Sequence, residues 1–157
     1  PLAILYRAVL DEADFLDANL TRAVLIGAKG LRTNFMNSDL SELYAPKSSF
    51  QHAQFNRATL ESANFVGADL RGSNFSHSNM THANLQDTNL QDATFVSSNL
   101  SGARLDSADL SRANFAGAIL SSVIGLTQTQ LNGACVDDKT KLPHGLSRPA
   151  PCSSAKK

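Results

Sequence analysis

The sequence predicts an all-β solenoid, a four-sided β-helix of about six coils that ends in a short C-terminal helical cap. Three observations support this prediction. Large apolar residues recur every five positions, small residues stand two positions before them, and charged residues 20 positions apart have opposite signs. We expect residues 1–125 to form the β-helix and residues 126–157 to form the cap helix, a loop and a frayed tail.

The five-residue period lies at the positions divisible by five. From Leu5 to Leu120 these 24 positions hold 13 Leu, eight Phe and one Met, and only Gly30 and Ala45 depart from the pattern. Ala, Ser or Thr fills 23 of the 24 positions two residues earlier, with Leu43 as the exception. A period of five suits neither an α-helix nor a flat strand, because it changes face with each repeat. The chain therefore turns once per pentad, with the large and small residues pointing inward.

The number of sides per coil follows from the last residue of each pentad. Stacked coils place equivalent residues 15 positions apart for three sides and 20 positions apart for four. A spacing of 15 stacks Arg7 on Arg22, which opposes the preference for unlike charges in neighbouring strands. A spacing of 20 instead pairs Glu12 with Arg32, Arg22 with Glu42, and Asp92 with Arg112. The charges therefore favour four sides.

Two breaks in the pattern call for structural accommodation. At Gly30 we expect the following Leu31 to turn inward around a local distortion that glycine permits. At the second break, Leu43 replaces a small residue and Ala45 replaces a large one, which indicates a swap that conserves core volume. The alternative is a functional kink at either position.

The repeat resembles the pentapeptide-repeat family, whose consensus appears here as Ala63-Asn64-Phe65, Ala68-Asp69-Leu70 and Ala113-Asn114-Phe115. The resemblance covers about residues 3–125. It implies a right-handed, four-sided β-helix in which the large residues stack as inward ladders. The expected core ladder consists of Phe15, Phe35, Phe55, Phe65, Phe75, Phe95 and Phe115.

The segment after Gly125 predicts a cap. Thr127 followed by Gln130 matches a capping box, and a short helix from Thr127 to Ala134 would cover the strand edges of the last coil. Cys135 and Cys152 are the two cysteines of the chain and both lie here. We expect a disulfide between them, which favours an oxidising compartment such as a periplasm or a thylakoid lumen. The alternative is two free thiols in a cytosolic protein.

Composition and motif spacing argue against several functions. Lys plus Arg and Asp plus Glu both number 14, so no strong field favours nucleic acid. No apolar run approaches the ~20 residues of a membrane-spanning helix. His77, His82 and Asp87 fall on successive sides of the coil and point apart, so we expect solvated side chains there rather than a metal site. Without a catalytic motif in the sequence, we expect neither an enzyme nor a cofactor.

One surface feature exceeds what the scaffold requires. Outward positions on one side of the first coils are apolar, which predicts a continuous stripe that another surface covers. We define this N-terminal apolar stripe as Ile4, Tyr6, Val24, Ile26, Tyr44, Pro46 and Val66. Its cover is either a further segment of the polypeptide, a neighbouring copy as in a homodimer, or a protein partner.

These observations predict a non-catalytic structural or interaction scaffold that binds through an outer face. The family resemblance brings a second hypothesis, because some relatives bind gyrase and confer quinolone resistance as DNA mimics. Such mimicry relies on strong negative charge and on dimer length. A formal net charge of zero, with arginines scattered through the repeats, argues against it.

Overall fold

The computed structural model describes residues 3–149, in which parallel bridges join residues 20 positions apart everywhere except at the C-terminal end. The series starts with Ile4 to Val24 and runs without interruption to Arg104 and Ile124. Four pentads therefore complete one coil, which is the spacing that the charge pairs predict. We call residues 3–22 coil 1, and we number the sides by their first bridge residues. The first side begins at Ile4, the second at Val9, the third at Asp14 and the fourth at Asn19.

Each pentad from coil 1 to Gly117 turns at a residue in the left-handed backbone region. In coil 1 these corner residues are Arg7 (φ 51°), Glu12 (φ 57°), Asp17 (φ 56°) and Arg22 (φ 61°). The next small residue closes the turn by donating its N–H to the preceding large residue, as from Ala8 to Leu5 over 3.1 Å. Left-handed backbone costs energy for residues with a Cβ, so a repeated turn of this kind needs support from neighbouring groups.

The Asp or Asn before each large residue supplies part of that support. The Asn64 Oδ1 accepts the backbone N–H of Val66 at 3.0 Å, and the Asn74 Oδ1 accepts that of Ser76 at the same distance. The same i to i+2 bond recurs at most of the Asp and Asn positions of the repeat, which explains why these two residue types are used.

Aromatic rings fill the core behind the third side. Six Phe side chains stack face to face, with ring centroids 4.7–5.2 Å apart and planes within 4–9° of parallel. They are Phe15, Phe35, Phe55, Phe75, Phe95 and Phe115. Phe65 is buried, but it lies behind the first side and meets the Phe55 ring edge-on at 6.0 Å. The predicted ladder is therefore corrected to these six rings, with Phe65 packed against the stack.

The break at Gly30 is filled from the neighbouring coil. A Cβ at Gly30 would lie 2.6 Å from the Phe50 ring and 2.2 Å from Thr33 Oγ1. Leu31 stays half-exposed at the surface, and the backbone N–H of Gly30 bonds to Ser49 O at 2.8 Å as in a regular coil. The expected inward turn of Leu31 is therefore wrong, because the Phe50 ring already occupies the space.

The break at Leu43 and Ala45 follows the predicted volume swap. Both side chains are fully buried, so Leu43 supplies apolar volume where Ala45 leaves room. Ser48 continues the regular turn by donating its hydroxyl to Ala45 O at 2.7 Å. Within the described chain, neither break produces a kink in the bridge pattern.

The C-terminal segment contains helix α1, Gln128–Asn132, with Thr127 as its N-cap and a capping box formed with Gln130. The helix is shorter than the span expected from the sequence. After it, the chain rejoins the β-helix through bridges from Asn114 to Cys135 and from Ile119 to Lys141. The bridged residues are here 21 and 22 positions apart instead of 20. The reason is that α1 takes the place of the next strand on the second side and further residues are inserted after it. The tail from residue 150 onward lies outside the described residues.

Candidate interaction surface

The N-terminal apolar stripe lies on the first side of the solenoid. Ile4, Val24 and Tyr44 are joined in series by parallel bridges, so their side chains project from stacked rungs. Ile4 is 68% exposed, Tyr6 55% and Tyr44 45%. The other four stripe residues are half-buried between their neighbours. The structure thus places the predicted residues on one side, with the largest exposures at Ile4, Tyr6 and Tyr44.

Charged side chains line both edges of the stripe. On one edge, the Arg7 guanidinium lies over the Tyr6 ring, 5.1 Å from its centroid. Its aliphatic stem, like that of Lys47 in the same column, packs against a glycine one coil above. On the other edge, Arg22 Nε contacts Glu42 Oε2 at 2.9 Å. The hydrogen bond from Arg22 lowers the pKa of Glu42.

The stripe ends where the same side becomes polar. Above Tyr44, the bridge column continues through Asn64 and Asn84, whose amide oxygens accept local backbone N–H groups. Higher still, Arg104 Nε contacts Asp106 Oδ2 at 3.3 Å. These polar groups have partners within the coil and interrupt the apolar surface, which reappears on the first side at Ile124, 51% exposed and bridged to Arg104.

Two further apolar residues of coil 1 were missed by sequence reasoning. Val9, on the second side, is 72% exposed, and Leu16, on the third side, is 48% exposed. Val9 stands where most pentads carry Asp or Asn, and this substitution was the available signal. Three of the four sides of coil 1 therefore carry at least one exposed apolar side chain.

The histidines do not assemble a metal site. Among residues 3–149, no group of three or more His, Cys, Asp or Glu side chains is placed to hold a metal ion. His52 and His82 instead lie against the glycines one coil above, where a Cβ on Gly72 or Gly102 would come within 2.4–2.5 Å of the imidazole Nδ1. In the same part of the chain, no helix is long and apolar enough to span a membrane.

The predicted disulfide is not decided by the described part of the chain. Cys135 forms the bridge with Asn114 on the third side, and its N–H bonds to Ala113 O at 2.7 Å. Its expected partner, Cys152, lies outside the described residues. The pairing of the two cysteines stays a prediction.

Two family descriptions match the repeat. "Pentapeptide repeat region" matches residues 48–134, and "Pentapeptide repeats (8 copies)" matches residues 3–42. The chain belongs to the pentapeptide-repeat family. This identification agrees with the bridge spacing and the buried ladder described above. No curated protein matches the chain.

Several solved pentapeptide-repeat structures are similar to this chain. HetL, involved in heterocyst differentiation regulation in the cyanobacterium Nostoc sp. strain PCC 7120, is 26% identical with a TM-score of 0.59, and the match covers 88% of this chain and 72% of HetL. QnrB1, a plasmid-mediated fluoroquinolone resistance protein, is 20% identical with a TM-score of 0.41, covering 92% and 93%. A thylakoid-lumen protein from Arabidopsis thaliana is 21% identical with a TM-score of 0.43, covering 78% and 76%. The similarity to HetL supports the solenoid fold.

Proposed function

We propose that this pentapeptide-repeat protein is a non-catalytic scaffold that binds a protein partner through the N-terminal apolar stripe. In this proposal the chain forms a right-handed, four-sided β-helix of six coils, and the C-terminal helix closes its upper end. The observation that carries the proposal is the bridged column of Ile4, Val24 and Tyr44, whose apolar side chains face outward on successive coils. An apolar surface of this kind on a rigid support is typical of an interaction site.

The edges of the stripe indicate the chemistry of the partner. Burying an apolar centre inside a charged rim is the usual anatomy of a protein interface. Arg7 and Lys47 form one edge, so an apolar partner surface with acidic residues beside it fits best. The involvement of HetL in differentiation, with a similar fold at 26% identity, supports a regulatory rather than a catalytic role.

The proposal is tested by photo-cross-linking in the source cells. A photoreactive residue at Ile26 should capture a partner that the same residue at Met36 does not, because Met36 holds the equivalent position on the opposite side. The captured protein is then purified and its binding measured. Ile26→Asp/Tyr44→Asp should weaken binding at least about tenfold. Met36→Asp/Gln54→Asp, matched in pentad position and coil, should leave it unchanged. Equal capture at both positions would contradict the proposal.

Gyrase protection is the competing function. The balanced charge of the chain opposes mimicry of DNA, so we expect no effect on gyrase supercoiling in the presence of a quinolone. Protection of supercoiling at stoichiometric protein would replace the scaffold proposal with the DNA-mimic function.

A further inference from the structure

Two ridges of apolar side chains run along the first side of the solenoid. In coils 2 to 4, residues 23–82, the stripe residues form them, Val24 and Tyr44 in one ridge and Ile26, Pro46 and Val66 in the other. The residue between the ridges in each pentad is buried in the core, so a shallow groove runs between them along the solenoid axis. Each of these coils has a neighbouring coil on both sides, so the exposure of the two ridges does not depend on either end of the solenoid.

The backbone groups of this side are already used within the described coils. Tyr44 donates its N–H to Ala23 O at 2.9 Å, and its C=O accepts the Leu25 N–H at 2.8 Å. In the other ridge, Pro46 has no N–H, and its C=O accepts the Gly27 N–H at 3.1 Å. Adding a partner strand needs free main-chain groups, whereas an α-helix bonds its own backbone and presents only side chains. The groove therefore suits a helix better than a strand.

The spacing of the coils also matches the repeat of an α-helix. Stacked coils lie about 4.8 Å apart, and one turn of helix rises about 5.4 Å. From coil 2 to coil 4 the two repeats drift apart by only about 1 Å. A helix laid along the axis therefore keeps apolar residues of one face in the groove at every coil, whereas a helix laid across the side would leave most of the groove uncovered.

Cations line one edge of the groove at every second coil. Arg7 and Lys47 occupy the corner that follows the second ridge, and the same corner of the next coil above is Gly27 or Gly67. The stem of each long side chain packs over that glycine, where a Cβ would lie 3.4 or 3.6 Å from its Cγ. The two cationic corners are two coils apart, about 9.6 Å. Residues seven positions apart on an α-helix share an edge and are separated by about 10.5 Å, so two acidic residues at this spacing face both cations.

The remaining charges limit where acidic residues fit. On the opposite edge of the groove, Arg22 and Glu42 already pair with each other at 2.9 Å, so that edge does not select charge. Above coil 4, the corner column that contains Lys47 continues to Asp87, which has the opposite charge. A helix with acidic residues along its whole edge would be repelled there. The acidic residues of a fitting helix are therefore confined to the turns that face coils 1 and 3.

We propose that the N-terminal apolar stripe binds an amphipathic α-helix of the partner, laid along the solenoid axis, with two acidic residues seven positions apart on one edge. This inference rests on the proposed function, because it names the element that binds at the same site. The apolar face of the helix lies in the groove between the ridges, and its acidic residues contact Arg7 and Lys47. Three turns of helix, about 16 Å, cover the stripe from coil 1 to coil 4.

The first test is a peptide selection that needs no knowledge of the partner. A display library contains equal numbers of helical peptides and β-hairpins of about 18 residues, all with randomised faces. It is depleted on Ile26→Asp/Tyr44→Asp and then selected on the wild-type chain. Enriched peptides should be helices with one apolar face and two acidic residues seven apart. Enrichment of hairpins, of helices without the acidic pair, or of no peptide above the unselected level would overturn the proposal.

The second test exchanges the charges of one contact. Lys47→Glu should weaken binding of a selected helix at least about tenfold at low salt. Replacing the facing acidic residue of the peptide by Lys should restore most of the affinity, which a misfolded variant could not do. Arg57→Glu is the matched control, because Arg57 is the corner residue of the third side in the same coil, and it should leave the affinity unchanged. Equal losses for both variants, or no recovery with the exchanged peptide, would overturn the proposal.

The third test fixes the direction of the helix. Photoreactive residues placed at Ile26 and at Val66, two coils higher in the same ridge, should attach to peptide positions about seven apart. Attachment of both to one turn would show that the helix crosses the side, which overturns the stated geometry.

The scaffold proposal and the helix proposal fail separately. A partner captured in cells through Ile26, but attached through a hairpin or through a helix without acidic residues, would overturn the helix proposal and leave the scaffold proposal standing. Equal capture at Ile26 and Met36 would contradict the scaffold proposal without changing the result of the peptide selection.

Discussion

The first and last coils of the described residues differ in how their backbone groups are paired. At the upper end, the C-terminal segment supplies the next rung, with Phe115 donating its N–H to Cys135 O and Leu120 donating to Lys141 O, both over 2.8 Å. At the lower end, the backbone groups of coil 1 have no such partner among residues 3–149. Phe115 is fully buried, whereas Phe15 in the same stack is only partly buried.

This contrast shows that the burial of a core side chain depends on the coils above and below its pentad. Phe15 and Phe115 occupy the same position of the same repeat, and only the presence of a coil on both sides distinguishes them. Stability in such a linear repeat comes largely from the contacts between neighbouring coils. The cost of a substitution should therefore depend on its height in the stack.

The largest expected effect is on the aromatic stack. Phe75 has parallel rings on both sides, with centroids at 4.7 and 5.0 Å, and it is fully buried. Phe75→Ala should lower the free energy of unfolding by about 3–5 kcal/mol, because it removes a large side chain and leaves a cavity. Phe15→Ala should cost roughly half as much, since its ring is partly exposed and stacks only on Phe35.

Urea unfolding followed by circular dichroism measures both variants. Equal losses for Phe75→Ala and Phe15→Ala at dilute protein concentration would show that burial does not vary with height in the stack.

The sequence predicts the features of the fold that recur with a period. It does not predict features that depend on how a single side chain packs against a neighbouring coil. The period of five and the charge pairs led to coils of 20 residues, and the Arg22–Glu42 ion pair is present at 2.9 Å. The sequence did not predict that the Phe50 ring fills the space at Gly30. That filling depends on how a ring 20 residues away packs against the preceding coil. The stripe was found because it is a column of outward positions. Val9 was missed because a single apolar substitution has no periodicity to reveal it.

The second largest effect on stability is expected from overpacking beside the Phe50 ring. Gly30→Ala should lower stability by about 1–3 kcal/mol, because its Cβ would lie 2.2 Å from Thr33 Oγ1 and 2.6 Å from the Phe50 ring. Adding Phe50→Leu should recover part of the loss, so the double variant should be more stable than the sum of the single changes. Gly133→Ala near the upper end is the control, since its nearest non-neighbouring atoms lie at 3.5 and 3.8 Å. Additive losses would show that the contact with Thr33, and not that with Phe50, sets the cost of a Cβ at Gly30.

A smaller effect is expected where α1 joins the last coil. Gln130 Nε2 donates to Leu105 O at 2.8 Å and to Ala108 O at 2.9 Å, in place of bonds that another rung would make. Gln130→Ala should lower stability by about 1–2 kcal/mol, because it also removes the capping box. Gln128→Ala is the control in the same helix, where the side chain bonds only exposed groups of the cap. Equal thermal midpoints for the two variants would argue against this role of Gln130.

The smallest effect is expected in the pH dependence of stability at the C-terminal end of the solenoid. The Gly117 N–H donates to Asp137 Oδ1 at 2.8 Å, and this bond, followed by that from the Thr140 hydroxyl, lowers the pKa of Asp137. A carboxyl group whose pKa is lower in the folded chain stabilises the fold above its unfolded pKa of ~3.9, and this contribution is lost as the pH falls through the folded value. Asp137→Asn should therefore reduce the fall in melting temperature between neutral pH and about pH 3.

Asp39→Asn in an interior coil is the variant with which Asp137→Asn is compared. The Ser41 hydroxyl and backbone N–H lower the pKa of Asp39, so that variant should also reduce the acid sensitivity of melting. Hydrogen exchange separates the two sites, because each amide reports its own coil. In acid, the wild type should lose protection first at the Lys141 amide, which bonds to Ala118 O beside Asp137, and later at interior amides such as that of Thr59. Simultaneous loss at both amides would show that the upper end opens only with the whole solenoid, and Asp137 would then stabilise the entire stack rather than its last rung.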